Sequence, residues 1–310
     1  MSGGFIRAKI ENVAGRYSDA EIAAQFDNPV FIVSAPRAGS TLLFQLLSKS
    51  PDVWTIGSES HGVYAQFPHL PGPRTSTKDG RLHAEHADDA TASRMRLCYL
   101  ALLRNADGEF LTDRPEAETS PVVFLEKTPR NSLNINFLLR VFPKARFIFL
   151  WRDAKENIAS MIEAWRIGAQ GRQFVTYRNL PDWPLGYWCF VLPPGWEALR
   201  GRPLAEIVAF QWRACNDIVL DDLSPLSRDR WTSLSHRELI DDPSGTLTRL
   251  CEFCGARRGE YLASREAGNL PVSASAMSAP RADKWRDHEA EILAALPGLQ
   301  PTIDRIDGLA

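Results

Sequence analysis

The amino-acid sequence predicts an α/β fold, a parallel β-sheet flanked by helices. Three observations lead there. Short β-branched and aromatic runs recur along the chain and are almost continuously apolar instead of alternating, as strands buried on both faces must be. Segments with helical periodicity separate these runs, and strands that alternate with helices imply a parallel sheet. A turn of small residues joins the first run to the first helical segment.

The first strand is expected at "PVFIVS" (29 to 34), followed by a helix in "TLLFQLLSKS" (41 to 50). The second strand is read at "PVVFLE" (121 to 126); in the helix after it, "LNINFLLRVF", Leu133, Phe137 and Val141 fall one turn apart on one face. The third strand, "ARFIFLW" (145 to 151), leads into "AKENIASMIEAW", where Ile158, Met161, Ile162 and Trp165 make an i, i+3, i+4, i+7 stripe. Beyond the fourth strand, "RWTSLS" (230 to 235), Asp242 followed by Pro243 reads as an N-cap with proline at the first helical position, and Gly255 reads as the stop. Leu247, Leu250, Cys251 and Cys254 form the buried face between them. Neither a repeat nor a linker interrupts the pattern, so one domain over 1–310 is expected.

Two stretches break the alternation. Residues 61 to 121 run from a Pro/His-rich loop through a predicted helix, "RMRLCYLALLRNA" (94 to 106), to a polar loop. Residues 171 to 203, inside an excursion over 166–230, are proline-punctuated and crowd together Trp183, Tyr187, Trp188, Phe190 and Trp196. Ligands of such sheets bind at the carboxyl ends of the strands, which makes both stretches candidate walls of a substrate site. The aromatic crowd reads equally as a satellite hydrophobic cluster under a long loop.

Composition sets bounds on function. The chain has 310 residues, 44% hydrophobic and 10% aromatic, enough for a full core. With 36 Lys+Arg against 38 Asp+Glu and a formal charge of −2, it lacks the basic field that nonspecific nucleic-acid or membrane-surface binding needs, so any anion must be held locally. No stretch approaches the roughly 18 apolar residues of a membrane span, and a cytoplasmic location follows. The five cysteines are an odd number in a chain with a large core, which argues against a disulfide framework; Cys251 and Cys254 have no second pair to complete a zinc site.

The turn "SAPRAGSTLL" (34 to 43) carries the chemistry. A strand, a tight loop and a helix N-terminus bring free backbone N–H groups and the positive end of a helix dipole to one point, an anion site. Against the G-x-x-x-x-G-K-[ST] pattern, Ser34 stands for the first Gly, Gly39 and Thr41 are kept, and Ser40 occupies the lysine position. Arg37 is the substitute cation, and its planar fork suits a tetrahedral oxyanion without a metal ion. The sheet is thus P-loop-like, with a phosphate group other than a magnesium-bound triphosphate as its ligand.

On these residues the chain resembles the sulfotransferases that use 3′-phosphoadenosine-5′-phosphosulfate (PAPS), whose P-R-x-G-[ST]-[ST] loop "APRAGSTLL" matches. The family's second signature, an Arg at a strand end with a Ser eight positions on, is matched by Arg152 and Ser160 in "FIFLWRDAKENIAS". "EKTPRN" (126 to 131) and the Lys-Trp segment in "SAMSAPRADKWRDH" are similar to the bacterial and tyrosyl-protein branches, and "LSHRELIDDPSGTLTRLCEFCG" is similar to the family's strand, acidic turn and helix, with His236 where Tyr is commoner. The resemblance covers roughly residues 29 to 290, except 166 to 230. It implies a sulfotransferase fold and PAPS as cofactor, leaving 3′,5′-ADP as product, without a metal. It also implies a small-molecule, lipid or natural-product hydroxyl as acceptor.

The resemblance further implies the site. Arg37, Ala38, Gly39, Ser40 and Thr41 would cradle the 5′-phosphosulfate, Arg152 and Ser160 would hold the 3′-phosphate, and Ser278 and Lys284 would close over the nucleotide. Glu59 is expected as general base, with partial burial beside Trp54 and Tyr64 raising its pKa toward a useful range, and His61 is its rival. Arg37 and Lys127 would stabilise developing charge, and Arg130, adjacent, would at most assist the nucleotide. The competing reading is a nucleoside-triphosphate-dependent kinase, which requires a lysine at position 40 and an acidic strand end for magnesium; the strands end in Glu126-Lys127 and Arg152 instead.

Overall fold

A computed structural model describes residues 3–72, 78–114, 122–171, 173–279, 281 and 283–309. The chain enters through helices α1 (Gly3–Val13) and α2 (Asp19–Ala24), the second opened by a reciprocal cap between Ser18 and Glu21. Strand β1 (Pro29–Val33) is buried at every position and turns through the loop into α3 (Ser40–Leu47). The short β2 (Val53–Trp54), α4 (His61–Tyr64) and α5 (Asp89–Leu100) come next, and then β3 (Val123–Lys127), α6 (Ile135–Val141), β4 (Arg146–Trp151) and the long α7 (Ala154–Gln170). A hairpin of β5 (Val175–Arg178) and β6 (Tyr187–Cys189) precedes α8 (Leu204–Leu223). β7 (Trp231–Ser235), α9 (His236–Asp241), α10 (Pro243–Cys254) and α11 (Gly259–Ala263) follow, and the C-terminal part adds α12 (Glu289–Ala295) and α13 (Gln300–Asp307).

Five strands form one sheet in the order β2-β3-β1-β4-β7, and every pairing is parallel. Ile32 of β1 stands opposite Lys127 on one side and Ile148 on the other, so the loop after β1, the end of β3 and the end of β4 share one edge. From β1 the chain builds β2 and β3 on one flank, then crosses to β4 and β7 on the other. That reversal at β1 is the switch point where a crevice opens beyond the carboxyl ends of the strands.

Because side chains alternate along a strand, β1 feeds two cores. Val30 and Ile32 join Leu43 and Leu46 of α3, Ile148, Leu234 and Leu250 on one face. Phe31 and Val33 join Phe124, Phe142, Phe147, Tyr99 and Trp165 on the other. Phe124 is the hub of that second core: its ring centroid lies 5.3 Å from Phe26, 5.8 Å from Phe31, 5.0 Å from Tyr99 and 5.8 Å from Phe142.

Several boundaries differ from expectation. The helix predicted over 94–106 spans Asp89–Leu100, because the Asp88 side chain accepts from the Thr91 amide at 2.7 Å and starts it earlier. It ends earlier because Arg104 is drawn into a backbone bridge with Thr55. The second strand runs to Lys127, one residue past the predicted end, while Pro121 lies outside the described residues. The predicted cap of α10 forms: the Asp242 carboxylate accepts from the Gly245 amide at 2.9 Å, and Gly255 ends the helix at φ 67°. Within 166–230, α8 packs on α7 in the core, whereas the β5–β6 hairpin reaches the cleft. Trp183, Trp188 and Trp196 pack edge-on against one another, with Trp165 beneath, as a buried cluster; of that aromatic stretch, Phe190 faces the cleft.

All five cysteines are buried and unbridged. Among the described residues no helix is long and apolar enough to cross a membrane. The shared position of Phe124 predicts that Phe124→Ala lowers unfolding free energy by about 3–5 kcal/mol, read from the midpoint of urea denaturation.

Candidate active site

A cleft of about 900 Å³ opens at the carboxyl edge of the sheet. Its floor is the loop between β1 and α3. Gly39 there adopts φ 105°, and a Cβ on it would lie 2.4 Å from Cδ2 of His236, so both the backbone angle and the close approach require glycine. Arg37 also takes a left-handed conformation, φ 67°, which costs a non-glycine residue about 1–2 kcal/mol and is tolerated where the surroundings hold it. One such hold is Asn157 of α7, whose Nδ2 donates to the Pro36 carbonyl at 2.8 Å. The Gly39 cap supplies no side-chain acceptor to α3, and while the Leu42 and Leu43 amides donate to the Gly39 carbonyl, the Ser40 and Thr41 amides at the helix start have no bonded partner among the described residues.

The Arg37 guanidinium reaches across this floor. Its Nε donates to Ser160 Oγ at 3.4 Å, its Nη2 donates to the Ser275 carbonyl at 2.9 Å, and it lies 5.3 Å from the Phe174 ring centroid. Burial, and then the nearby charge of Arg152, hold its pKa below the usual arginine value. Arg152, at the end of β4, donates to Glu156 at 3.1 and 2.9 Å. Two guanidinium groups close enough to oppose each other's charge, one of them without a carboxylate partner among the described residues, favour an anion between them.

Ser273, Ser275, Met277, Ser278, Lys284 and Trp285 line the same cleft. The Ala274 amide donates to Gln45 of α3 at 3.1 Å; Lys284 Nζ donates to Ser278 Oγ at 2.7 Å and to Glu163 of α7 at 2.5 Å. Lys155 sits 4.8 Å from the Trp285 ring centroid.

At the other end of the cleft, the Lys127 ammonium donates to Thr41 Oγ1 at 3.2 Å and to Glu59 Oε1 at 2.5 Å. The Glu59 Oε2 atom meets His61 Nε2 at 3.1 Å. The Lys127 side chain is 5% exposed and that of Glu59 35%. The expected rise in the Glu59 pKa does not occur. Burial pushes it up, but the His61 hydrogen bond and the Lys127 charge together outweigh burial and hold it at about 2. Glu59 is therefore a carboxylate across the physiological range.

Beneath Glu59 lies a buried polar network. The Ser60 amide donates to Thr128 Oγ1 at 2.7 Å, and the Ser60 and Thr128 hydroxyls both donate to Glu126. Asn131 Nδ2 donates to the same carboxylate at 2.5 Å, and the Tyr64 hydroxyl donates to Asn131 Oδ1 at 2.8 Å. Burial pushes the Glu126 pKa up.

Arg37, Gly39, Ser40, Thr41, Glu59, His61, Arg152, Ser160, Ser278 and Lys284 all line this one cleft, and Lys127 joins it through Thr41 and Glu59. Ala38 does not: its side chain is buried in the protein, leaving only its backbone to the loop. The sequence reading gave no site role to His236, Phe174, Ser275 or Glu126. Only His236 carried a signal, an imidazole at the first residue of a helix after a strand end.

His236 is kept neutral. Burial, then the Arg152 charge, lower its pKa from 6.5 to about 4. An unfolded chain binds this proton as pH falls through about 6.5 and the folded one only near 4, so folding stability falls across that window. His236→Gln should remove this share of the acid destabilisation. The drop in urea midpoint between about pH 7 and about pH 4.5 should then be smaller in the variant than in the wild type.

Comparisons with known proteins bear on what this arrangement is. A profile described as the sulfotransferase family matches residues 29–259, from β1 to the start of α11. A Caenorhabditis briggsae chain named as a protein-tyrosine sulfotransferase is 27% identical over 143 residues, 45% of this chain and 45% of that one. Protein-tyrosine sulfotransferase 1 of Danio rerio is 26% identical over 156 residues, 50% of this chain and 41% of that one. The matched stretch thus spans less than half the length of either curated relative. A sulfotransferase of Mycobacterium avium superposes with a TM-score of 0.50 at 16% identity, covering 97% of this chain and 80% of that one, which is a likeness of fold.

Proposed function

From the premise that the chain belongs to the sulfotransferase family, we propose that it transfers a sulfuryl group from PAPS to a small-molecule, lipid or natural-product hydroxyl, with Glu59 as base. The observation that carries this reading is the Lys127 bridge. One buried ammonium joins the first turn of α3, where a phosphosulfate would lie, to the carboxylate that would meet the acceptor.

The residues present fit the nucleotide. Unpartnered N–H groups at the start of α3, a glycine that allows close approach and the two mutually opposed guanidinium groups all favour phosphate oxygens. Arg37 with the Ser40 and Thr41 hydroxyls would hold the 5′ end, Arg152 and Ser160 the 3′-phosphate, and Ser278 and Lys284 the outer face. PAPS, when bound, supplies a sulfuryl group on a mixed phosphate–sulfate anhydride.

Glu59 would take the acceptor proton as the acceptor oxygen bonds to the sulfuryl sulfur, with 3′,5′-ADP as the leaving group. By analogy with phosphoryl transfer, positioning and charge stabilisation carry such a step. A carboxyl group held at about 2 is a weak base. Negative charge arriving beside Thr41 would draw Lys127 toward it, loosen the pair and let burial raise Glu59. The two ends of the cleft would thus be coupled through a single ammonium. His61, on the second Glu59 oxygen, is the alternative base. The two curated relatives are named for tyrosine sulfation, so a tyrosyl phenol belongs among the acceptors to assay.

The kinase reading is not favoured. Its lysine position holds Ser40, and its acidic strand end is Arg152. A thermal-shift assay should show stabilisation by 3′,5′-ADP exceeding that by ATP with magnesium, and the reverse order would reject the transferase. Glu59→Gln should lower kcat by about 10²-fold or more while 3′,5′-ADP still binds, and an active variant would move the base to His61. Arg152→Ala should instead weaken 3′,5′-ADP about tenfold or more in equilibrium titration.

A further inference from the structure

Among the described residues, Arg130 is a cation without a counter-charge in the wall of the cleft. It lies in the 3₁₀ turn Pro129–Leu133 that follows β3, with its guanidinium 4.1 Å from the Tyr64 ring centroid. Its Nη2 donates to the Pro71 carbonyl at 3.2 Å, and its other N–H groups have no bonded partner among the described residues. No carboxylate among those residues comes within ion-pair distance of it. The nearby acids are committed elsewhere: Glu59 to Lys127 and His61, Glu126 to Ser60, Thr128 and Asn131, and Asp79 to the Arg81 amide at 2.8 Å.

The surroundings place this charge at the acceptor end. Its neighbours Tyr64, Pro71, Gly72 and Tyr177 come from none of the elements around the anion loop: not from α3, α7 or residues 273–279 and 283–285. Leu133, Val191, Leu192 and Phe190 supply apolar wall to the same cleft. A cation beside apolar surface is costly to desolvate unless a ligand anion meets it. The guanidinium carbon lies within cation–π range of the Tyr64 ring, which holds the group in the wall, and the N–H donors not given to Pro71 are left to meet an anion.

We infer that Arg130 forms an anion-binding subsite, so that the acceptor is a hydroxyl compound with an apolar body that also bears an anionic group. This deepens the sulfotransferase reading and rests on it. The test is calorimetric titration of the full chain, saturated with 3′,5′-ADP, with 3-(4-hydroxyphenyl)propionate and with its uncharged primary amide. The wild type should bind the carboxylate at least about tenfold more tightly than the amide. Arg130→Gln should abolish that preference, Arg130→Lys should keep part of it, and both should bind 3′,5′-ADP like the wild type. Equal binding of the two probes, binding of neither, or a preference that survives in Arg130→Gln overturns the subsite. So does a loss confined to 3′,5′-ADP affinity in that variant, which would give Arg130 to the nucleotide. A wild type that fails to bind 3′,5′-ADP at all overturns the sulfotransferase reading itself, a result distinct from the others.

Discussion

The site depends on a buried ammonium. Lys127 lies at the end of β3, opposite Ile32 of the central strand, and its side chain is almost wholly shielded from water. A charge so placed must be paired and hydrogen-bonded, and the two groups that satisfy it come from different parts of the chain. Thr41 belongs to the helix after β1, and Glu59 to the loop after β2. Pairing therefore fixes the distance between the anion cradle and the carboxylate, which no local rule of either segment could set.

Around that bridge, positive charge is concentrated at the expense of folding stability. Arg37 is depressed by burial and by Arg152, and His236 is kept neutral by burial and by the same Arg152. Left-handed backbone at Arg37 adds strain to the same few residues. Such a site is more comfortable with an anion in it than without one. The cost is carried by the two cores that β1 feeds, where Phe31, Phe124 and Ile32 are wholly or almost wholly buried.

The Glu59 end of the cleft is built differently. Its scaffold is the carboxyl of Glu126, satisfied by two hydroxyls and an amide and out of contact with solvent. A fully satisfied polar cluster of this kind holds one arrangement, because each rearrangement leaves a buried group unpaired. It anchors Ser60 next to Glu59 and Asn131 next to Arg130, so these two charged residues of the cleft stand on one rigid support.

What the sequence determined by itself was whatever is local. The alternation of apolar runs with amphipathic segments showed β1, β3, β4 and β7 and the helices α3, α6 and α7, because strands buried on both faces leave a continuous apolar signature. The anion loop was legible because strand, turn and helix start are contiguous, and the Asp242-Pro243 cap of α10 was legible for the same reason. The two-residue β2 carries too little pattern to read, and the long α8 was hidden inside a stretch that looked irregular at its start. Only the tertiary structure decided that Trp183, Trp188 and Trp196 pack with one another while Phe190 turns to the cleft. It also decided that the Glu59 pKa falls where burial alone would raise it, since the His61 hydrogen bond is joined by an ammonium 68 residues away in the chain. Electrostatic sign depends on distance in space, and sequence spacing does not encode that distance until the sheet brings the strand ends together.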